Sequence, residues 1–230
     1  MTASAEINTY LTTLHLPPTQ PWLSTFNSTT KPTTPLPALK KTALFRLLQS
    51  DIRTSLIPSG SNTLPRNATD PTTKTSVLRG SIPVQVLDMQ DIGHSIWSQV
   101  SLLEAAERGE TTKGREIVRL APDAVDEGEG NETSAVDSRA RGPCKVLLQD
   151  INGANIYGFE MQRVEALGSV GIGAKVLLRD AVVSRGVVLL EGRTVEVLGG
   201  KVEAWDKEWR KGRIRELRSR VGAPVGGEGG

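Results

Sequence analysis

The 230-residue sequence contains one cysteine, Cys144, and two histidines, His15 and His94. A single thiol excludes an internal disulfide, and these residues cannot assemble a cluster with zinc-ligand spacing. Neither histidine has a sequence neighbour that would tune it as a base, so no catalytic residue, metal site or cofactor is predicted. Aromatics make up only 4%, so the core must come from Val, Leu, Ile and Ala. No apolar run approaches the ~20 residues of a membrane span. The opening residues lack the basic and apolar pattern of a signal peptide, which with the single cysteine predicts a reducing compartment; no membrane partner and no small-molecule substrate are expected. The formal net charge of +2 is too small to mark the whole chain as a nucleic-acid binder; any electrostatic function must come from local clustering.

What is present is a set of short valine-rich strands between residues 144 and 200. Val146-Leu147-Leu148-Gln149-Asp150 leads through Ile151-Asn152-Gly153-Ala154 into Ile156-Tyr157-Gly158-Phe159-Glu160-Met161. An Asn-Gly pair between two such runs is a strong hairpin signal, because both residues tolerate positive φ. A second hairpin runs from 175–183 through Ser184-Arg185-Gly186 into 187–191. With an upstream strand at 82–89, carrying Val84 and Val86 on one face and Leu87 on the other, five strands predict a mainly β fold, a small Greek-key barrel. Tyr157 and Phe159 are two apart and point the same way, as a binding platform or as half of the core.

Residues 1–57 predict a small helical bundle: Ile7, Leu11 and Leu14, then Leu39, Ala43, Leu47 and Ile52, recur at helical spacing. The last of these helices is predicted to start near Pro37 and run on toward Pro58. Residues 58–76, rich in Ser, Thr, Asn and Pro, read as a linker before the barrel at 77–200. A helix is predicted over 96–107 from Ile96, Val100 and Leu103. Residues 108–141 have no periodicity and gather Asp123, Asp126, Glu127, Glu129, Glu132 and Asp137; so polar a segment buries too little apolar area to offset its ordering entropy. It is far longer than an ordinary connection, a mark of functional or disordered loops. Its one apolar patch, Ile117-Val118-Arg119-Leu120-Ala121-Pro122, is the expected contact. Gly168 to Lys175 only superficially resembles a phosphate-binding loop, because no hydroxyl follows the lysine and a strand, not a helix, comes next.

Residues 201–220 read as a basic helix, and 221–230 as a disordered tail. Lys207, Arg210, Lys211, Arg213, Arg215 and Arg218 would attract a polyanion weakly and in a salt-sensitive way. Trp205 and Trp209, four apart, either stack on bases or, with Val202, pack the helix against the barrel; packing is the preferred reading.

Taken in order, Leu147-Leu148-Gln149-Asp150, Tyr157-Gly158-Phe159-Glu160, Gly173-Ala174-Lys175-Val176-Leu177-Leu178, Gly186-Val187-Val188-Leu189-Leu190 and Val197-Leu198-Gly199-Gly200 resemble the OB-fold subunit of the topoisomerase III–RecQ helicase complex, the RecQ-mediated genome instability family. His15-Leu16-Pro17-Pro18, Pro21-Trp22-Leu23 and the run from Leu47 to Arg53 resemble its preceding helical segment. The resemblance implies a five-stranded OB-fold barrel with an N-terminal helical bundle and a C-terminal helix. It also implies a nuclear, non-enzymatic structural and regulatory subunit that binds topoisomerase III and a RecQ-family helicase. Such a subunit promotes decatenation and double Holliday junction dissolution, with the insertion at 108–141 modulating the topoisomerase gate through Ile117, Val118, Arg119, Leu120 and Pro122. The alternative is a DNA-binding module that recruits partners to single-stranded or junction DNA through Trp205, Trp209 and the basic residues of the last helix.

Overall fold

The computed structural model describes residues 3–31, 34–108 and 142–222. Two compact units divide the chain: Met1–Ile92 with Pro143–Trp209, and Gly93–Gly142 with Arg210–Gly230.

The first unit opens with four helices, α1 (Ala3–Thr13), α2 (Gln20–Thr29), α3 (Leu36–Leu48) and α4 (Ile52–Ser55). Helix α1 closes in a Schellman turn: the Leu16 N–H reaches the Leu11 carbonyl and the His15 N–H reaches Thr12, each at 3.0 Å, with His15 in the left-handed region at φ 61°. Helices α2 and α3 start on a proline in their first turn, where the missing N–H costs nothing. The expected single helix through 37–57 is two. It breaks after Leu48, and the Asp51 carboxylate restarts it by accepting the Arg53 N–H at 3.0 Å, an N-cap that competes with continuation. Ile7, Leu11, Leu23, Phe26, Ala43 and Leu47 form the bundle core, together with Ile151 from the barrel.

Six strands follow: β1 (Ser76–Asp91), β2 (Cys144–Asp150), β3 (Asn155–Glu160), β4 (Lys175–Ser184), β5 (Val187–Leu190) and β6 (Val195–Gly199). The long β1 pairs with both β2 and β4, β3 lies parallel to β5, and β5 is antiparallel to β4. The order β1-β2-β3-β5-β4-β1 is a closed five-stranded OB barrel; β6 is a strand beyond the predicted five, added along β4. Of the two turns, only the second uses positive φ at both central residues, Arg185 (48°) and Gly186 (81°), the conformation that matches strand twist. In the β2–β3 turn only Gly153 is left-handed; the buried Asp150 carboxylate shapes that turn instead, accepting the Ala154 N–H at 2.7 Å.

The barrel core takes Val84, Val86, Val146, Leu148, Ile156, Val176, Leu178, Val188 and Leu190, with Leu64 and Ala68 from the segment before β1. Carboxylates tie loops to this core. Asp150 also accepts the Leu64 N–H at 2.8 Å, and buried Glu160 accepts the N–H groups of Cys144 (2.8 Å) and Val164 (2.7 Å). Lys175, in the position that resembled a phosphate-loop lysine, begins β4 fully buried and donates to the Gly173 carbonyl at 2.5 Å.

The second unit holds a helix at Ile96–Glu107, here α5, capped by the Ser95 hydroxyl on the Ser98 N–H at 3.1 Å. It also holds the distal part of the last helix, α6 (Glu203–Arg220), which begins in the first unit.

Candidate interaction surfaces

Strand alternation sorts the barrel residues into inward and outward sets. Val146, Leu148, Ile156, Gly158, Val188 and Leu190 point in and are buried; their neighbours point out. Pairing aligns these outward positions into rows. One runs Lys145–Phe159–Leu189–Val182–Val77 and the next Leu147–Tyr157–Val187. On a sheet with one wet face these positions are ordinarily polar. Here all but Lys145 are apolar, though the rows end on polar partners, Gln90 and Asp88 opposite Lys145 and Leu147 and Ser184 opposite Val187; Tyr157 (47% exposed), Val77 (49%) and the adjoining Met161 (55%) are open to solvent. Tyr157 and Phe159 are therefore on an outward surface and not in the core, and the Lys145 ammonium sits 4.2 Å from the centre of the Tyr157 ring. Apolar patches of this kind mark sites that another molecule covers. Sequence reasoning found the two aromatics but missed the aliphatic band around them, which becomes visible only once the register of β3 against β5 is known.

On α6 the predicted residues divide by what they already hold. Trp205 and Trp209 pack against the barrel core, and the Trp209 indole N–H donates to the Asp88 carboxylate at 2.8 Å. Lys207 is exposed and, among the described residues, has no ion pair or hydrogen bond. In the second unit Arg213 is buried and pairs with Glu216 at 3.3 Å, while Arg218 pairs with Glu104 of α5 at 2.5 Å. Arg210 is exposed and engaged. Lys211 and Arg215, one turn apart, are exposed and unpaired among the described residues. Ile117, Val118, Arg119, Leu120 and Pro122 lie outside the described residues.

Where the helical bundle meets the barrel, a polar chain runs from Asp51 through buried Gln85 and Gln149 to exposed Asn155. The Gln85 amide donates to Asp51 (2.9 Å) and to Gln149 (3.1 Å), and Gln149 donates to Asn155 (2.9 Å). The Gln85 carbonyl accepts the Ile52 N–H at 3.2 Å. Burial pushes the Asp51 carboxyl up, but hydrogen bonds from the Arg53 side chain and backbone and from Gln85, with the Arg53 charge, outweigh it and hold it below the ordinary value. Burial also pushes Lys175 down from 10.5 to about 8, partly opposed by the Asp51 charge. The chain positions Asp51 and seals the joint. Among the described residues no group of three His, Cys, Asp or Glu could hold a metal ion, and no helix is long and apolar enough to cross a membrane.

The comparisons with known proteins follow this architecture. A family model described as RMI1, N-terminal OB-fold domain, matches residues 64–213, and one described as RMI1, N-terminal helical domain, matches residues 11–55. RecQ-mediated genome instability protein 1 of Schizosaccharomyces pombe is 30% identical over 155 residues, which span 63% of this chain and 66% of that protein, just under two thirds of its length. With two models of one family matched in order over the bundle and the barrel, this chain belongs to the RMI1 family.

Proposed function

We propose that the protein is a nuclear, non-catalytic subunit that binds topoisomerase III and a RecQ-family helicase and promotes decatenation and double Holliday junction dissolution. Family membership supports a role in genome stability. The observation that carries the finer reading is the outward apolar band of Leu147, Tyr157, Phe159, Val187 and Leu189 on the barrel of a family member, with Tyr157 exposed and the others half-buried among the described residues. Its aliphatic content fits a protein surface better than a run of bases, which would need more than two aromatic platforms. We assign topoisomerase III to this band. A subunit of this kind acts by binding one conformation of its enzyme better than another, and the difference in affinity sets the shift.

Co-expression with the topoisomerase III of the same organism, followed by size-exclusion chromatography at moderate and raised salt, tests the reading. A stoichiometric complex that persists in raised salt is expected, because apolar contacts are not screened. Separate elution at both salt concentrations refutes it.

A second reading, DNA binding through α6, rests on the unpaired Lys207 in the first unit and on Lys211 and Arg215 in the second. It is narrower than the sequence implied, because Arg213 and Arg218 are held by Glu216 and Glu104 and both tryptophans pack on the barrel.

A further inference from the structure

The start of α6 is fixed to the barrel from two sides. On one side lies a bulge in β1: Val86 faces Leu148 and Asp88 faces Leu147, so Leu87 between them is left over in the pairing. Such a bulge bends the strand and re-aims the side chains beside it. The Asp88 carboxylate next to it accepts the Trp209 indole N–H at 2.8 Å and the Met89 N–H at 2.9 Å. On the other side, buried Asp206 accepts the Ile172 N–H at 3.0 Å, and the Ile172 carbonyl accepts the Val202 N–H at 2.9 Å. The backbones there are so close that a Cβ on Gly173 would stand 2.5 Å from the Val202 nitrogen.

Between these anchors is an open pocket of about 260 Å³, lined by Leu87, Ile172, Trp205, Glu208 and Trp209. Trp205, Glu208 and Trp209 are spaced at three and four, so they share one face of the helix. Lys207 and Arg210 fall on other faces, and Lys201 is engaged with Glu203 at 2.9 Å and Asp206 at 3.6 Å. Both indoles are half-buried: part of each packs on the barrel core and part lines the pocket. Glu208 is exposed and, among the described residues, has neither a hydrogen bond nor an ion pair. It is also the only charged group among the described lining residues. Two indoles and an uncommitted carboxylate around one apolar pocket are complementary to an organic cation, which is attracted by the rings and by the charge together.

We propose that this pocket takes an arginine side chain from a basic segment of a partner protein, its guanidinium against the indoles and its fork of N–H donors on the Glu208 carboxylate. A lysine ammonium is compact and strongly hydrated, so it gives up more on entering an apolar pocket. A guanidinium is planar and weakly hydrated, and it satisfies ring and carboxylate at once. A quaternary ammonium has no donor for Glu208 and is recognised by a cage of aromatic rings, whereas two rings line this open pocket. The bulge, the Asp88–Trp209 hydrogen bond and the Asp206 anchor hold the walls in place before anything binds, which lowers the ordering cost of association. The pocket shares no residue with the apolar band.

The test uses the full chain, enriched in nitrogen-15, and follows its indole N–H resonances during titration with blocked tripeptides, acetyl-Gly-X-Gly-amide, where X is arginine, lysine or trimethyllysine. The arginine peptide is expected to move the Trp205 and Trp209 resonances saturably, with a Kd on the order of 1 mM for so small a ligand, and to leave Trp22 and Trp97 in place. The lysine peptide should bind more weakly. Glu208→Gln keeps the shape of an exposed side chain, so Tm should be unchanged while the arginine peptide binds about 5–10-fold more weakly. Trp205→Leu keeps an apolar side chain without the ring and should weaken binding by about 2–5-fold, read at Trp209. Absence of a saturable shift in the parent chain overturns the proposal, as does unchanged affinity in Glu208→Gln or equal affinity for the lysine peptide. Tighter binding of the trimethyllysine peptide also overturns it, in favour of a methylated-lysine site. None of these results bears on the apolar band as a docking surface.

Discussion

The barrel presents two surfaces that are not wet in the ordinary way, one covered by the N-terminal helices and one bare, among the described residues, at Val77, Tyr157 and Met161, and they are built differently. The covered joint encloses Ile151 and a run of three hydrogen-bonded amides and one carboxylate, Asp51–Gln85–Gln149–Asn155, that reaches the surface at Asn155. It also brings backbone against backbone: a Cβ on Gly200, which sits at φ +77°, would collide with the Leu48 carbonyl. The bare surface, across β2, β3 and β5, has half-buried aliphatic side chains and two aromatics, and its one charge lies over a tyrosine ring. Buried polar chains fix a unique geometry at the expense of adaptability, because each group left unpaired is costly. An apolar band without them tolerates exposure and re-covering. The first surface suits a permanent joint and the second a partner that is exchanged.

The sharpest way to break the contrast is at the joint. Gly200→Val should cost about 3 kcal/mol or more, because it combines a left-handed β-branched residue with a backbone collision. The expected result is a Tm lowered by roughly 6–12 °C and early proteolysis within α1–α4; a Tm within a degree of the parent would mean that the joint is not rigid. The matching change on the bare surface is the double variant Tyr157→Asp and Met161→Asp. Both side chains are about half exposed, so stability should hardly move. Affinity for topoisomerase III should fall on the order of 50-fold, as for central apolar anchors of an interface. Titration calorimetry reads the loss, and a complex of undiminished affinity would remove the band as the docking surface.

The barrel and the bundle were legible in the sequence, the contrast between the two surfaces was not, and the missing parts share a cause. Strand alternation and the turn at Arg185-Gly186 are local, so the barrel follows from residues 144–200 read in order. The break between α3 and α4 is masked because Leu47, Ile52 and Leu56 keep apolar spacing across it; the only signal is Ser50-Asp51, a cap inside an unbroken pattern. The orientation of Tyr157 and Phe159 is ambiguous because β3 is apolar on both sides. Partners far along the chain were out of reach. Arg218 is neutralised by Glu104, 114 positions away, and Asp150 is satisfied by Leu64, 86 positions away. The stretch from Ile117 to Pro122 lies outside the described residues.

Lys175 sharpens the comparison from the covered side, because it is a charge that the barrel holds without a carboxylate in contact. Its ammonium is fully buried and hydrogen-bonded to the Gly173 carbonyl, and burial lowers its pKa from 10.5 to about 8 against the opposing pull of Asp51. Below about pH 8 both folded and unfolded chains carry this proton, and the folded state bears the whole cost of the buried charge. Between about 8 and 10.5 the unfolded chain keeps the proton while the folded chain releases it, so this group makes stability rise with pH. The full shift corresponds to about 3 kcal/mol, reduced by about 1 kcal/mol for the hydrogen bond that a replacement would forfeit. Lys175→Met, which keeps the length and apolar stem, should therefore be more stable than the parent by about 2 kcal/mol at pH 7. Urea unfolding of both proteins should show that gap closing, and then reversing, as the pH is raised toward 10. A gap that stayed constant with pH would mean that Lys175 is hydrated in the folded protein, and that the joint is wetter than its hydrogen-bonded chain implies.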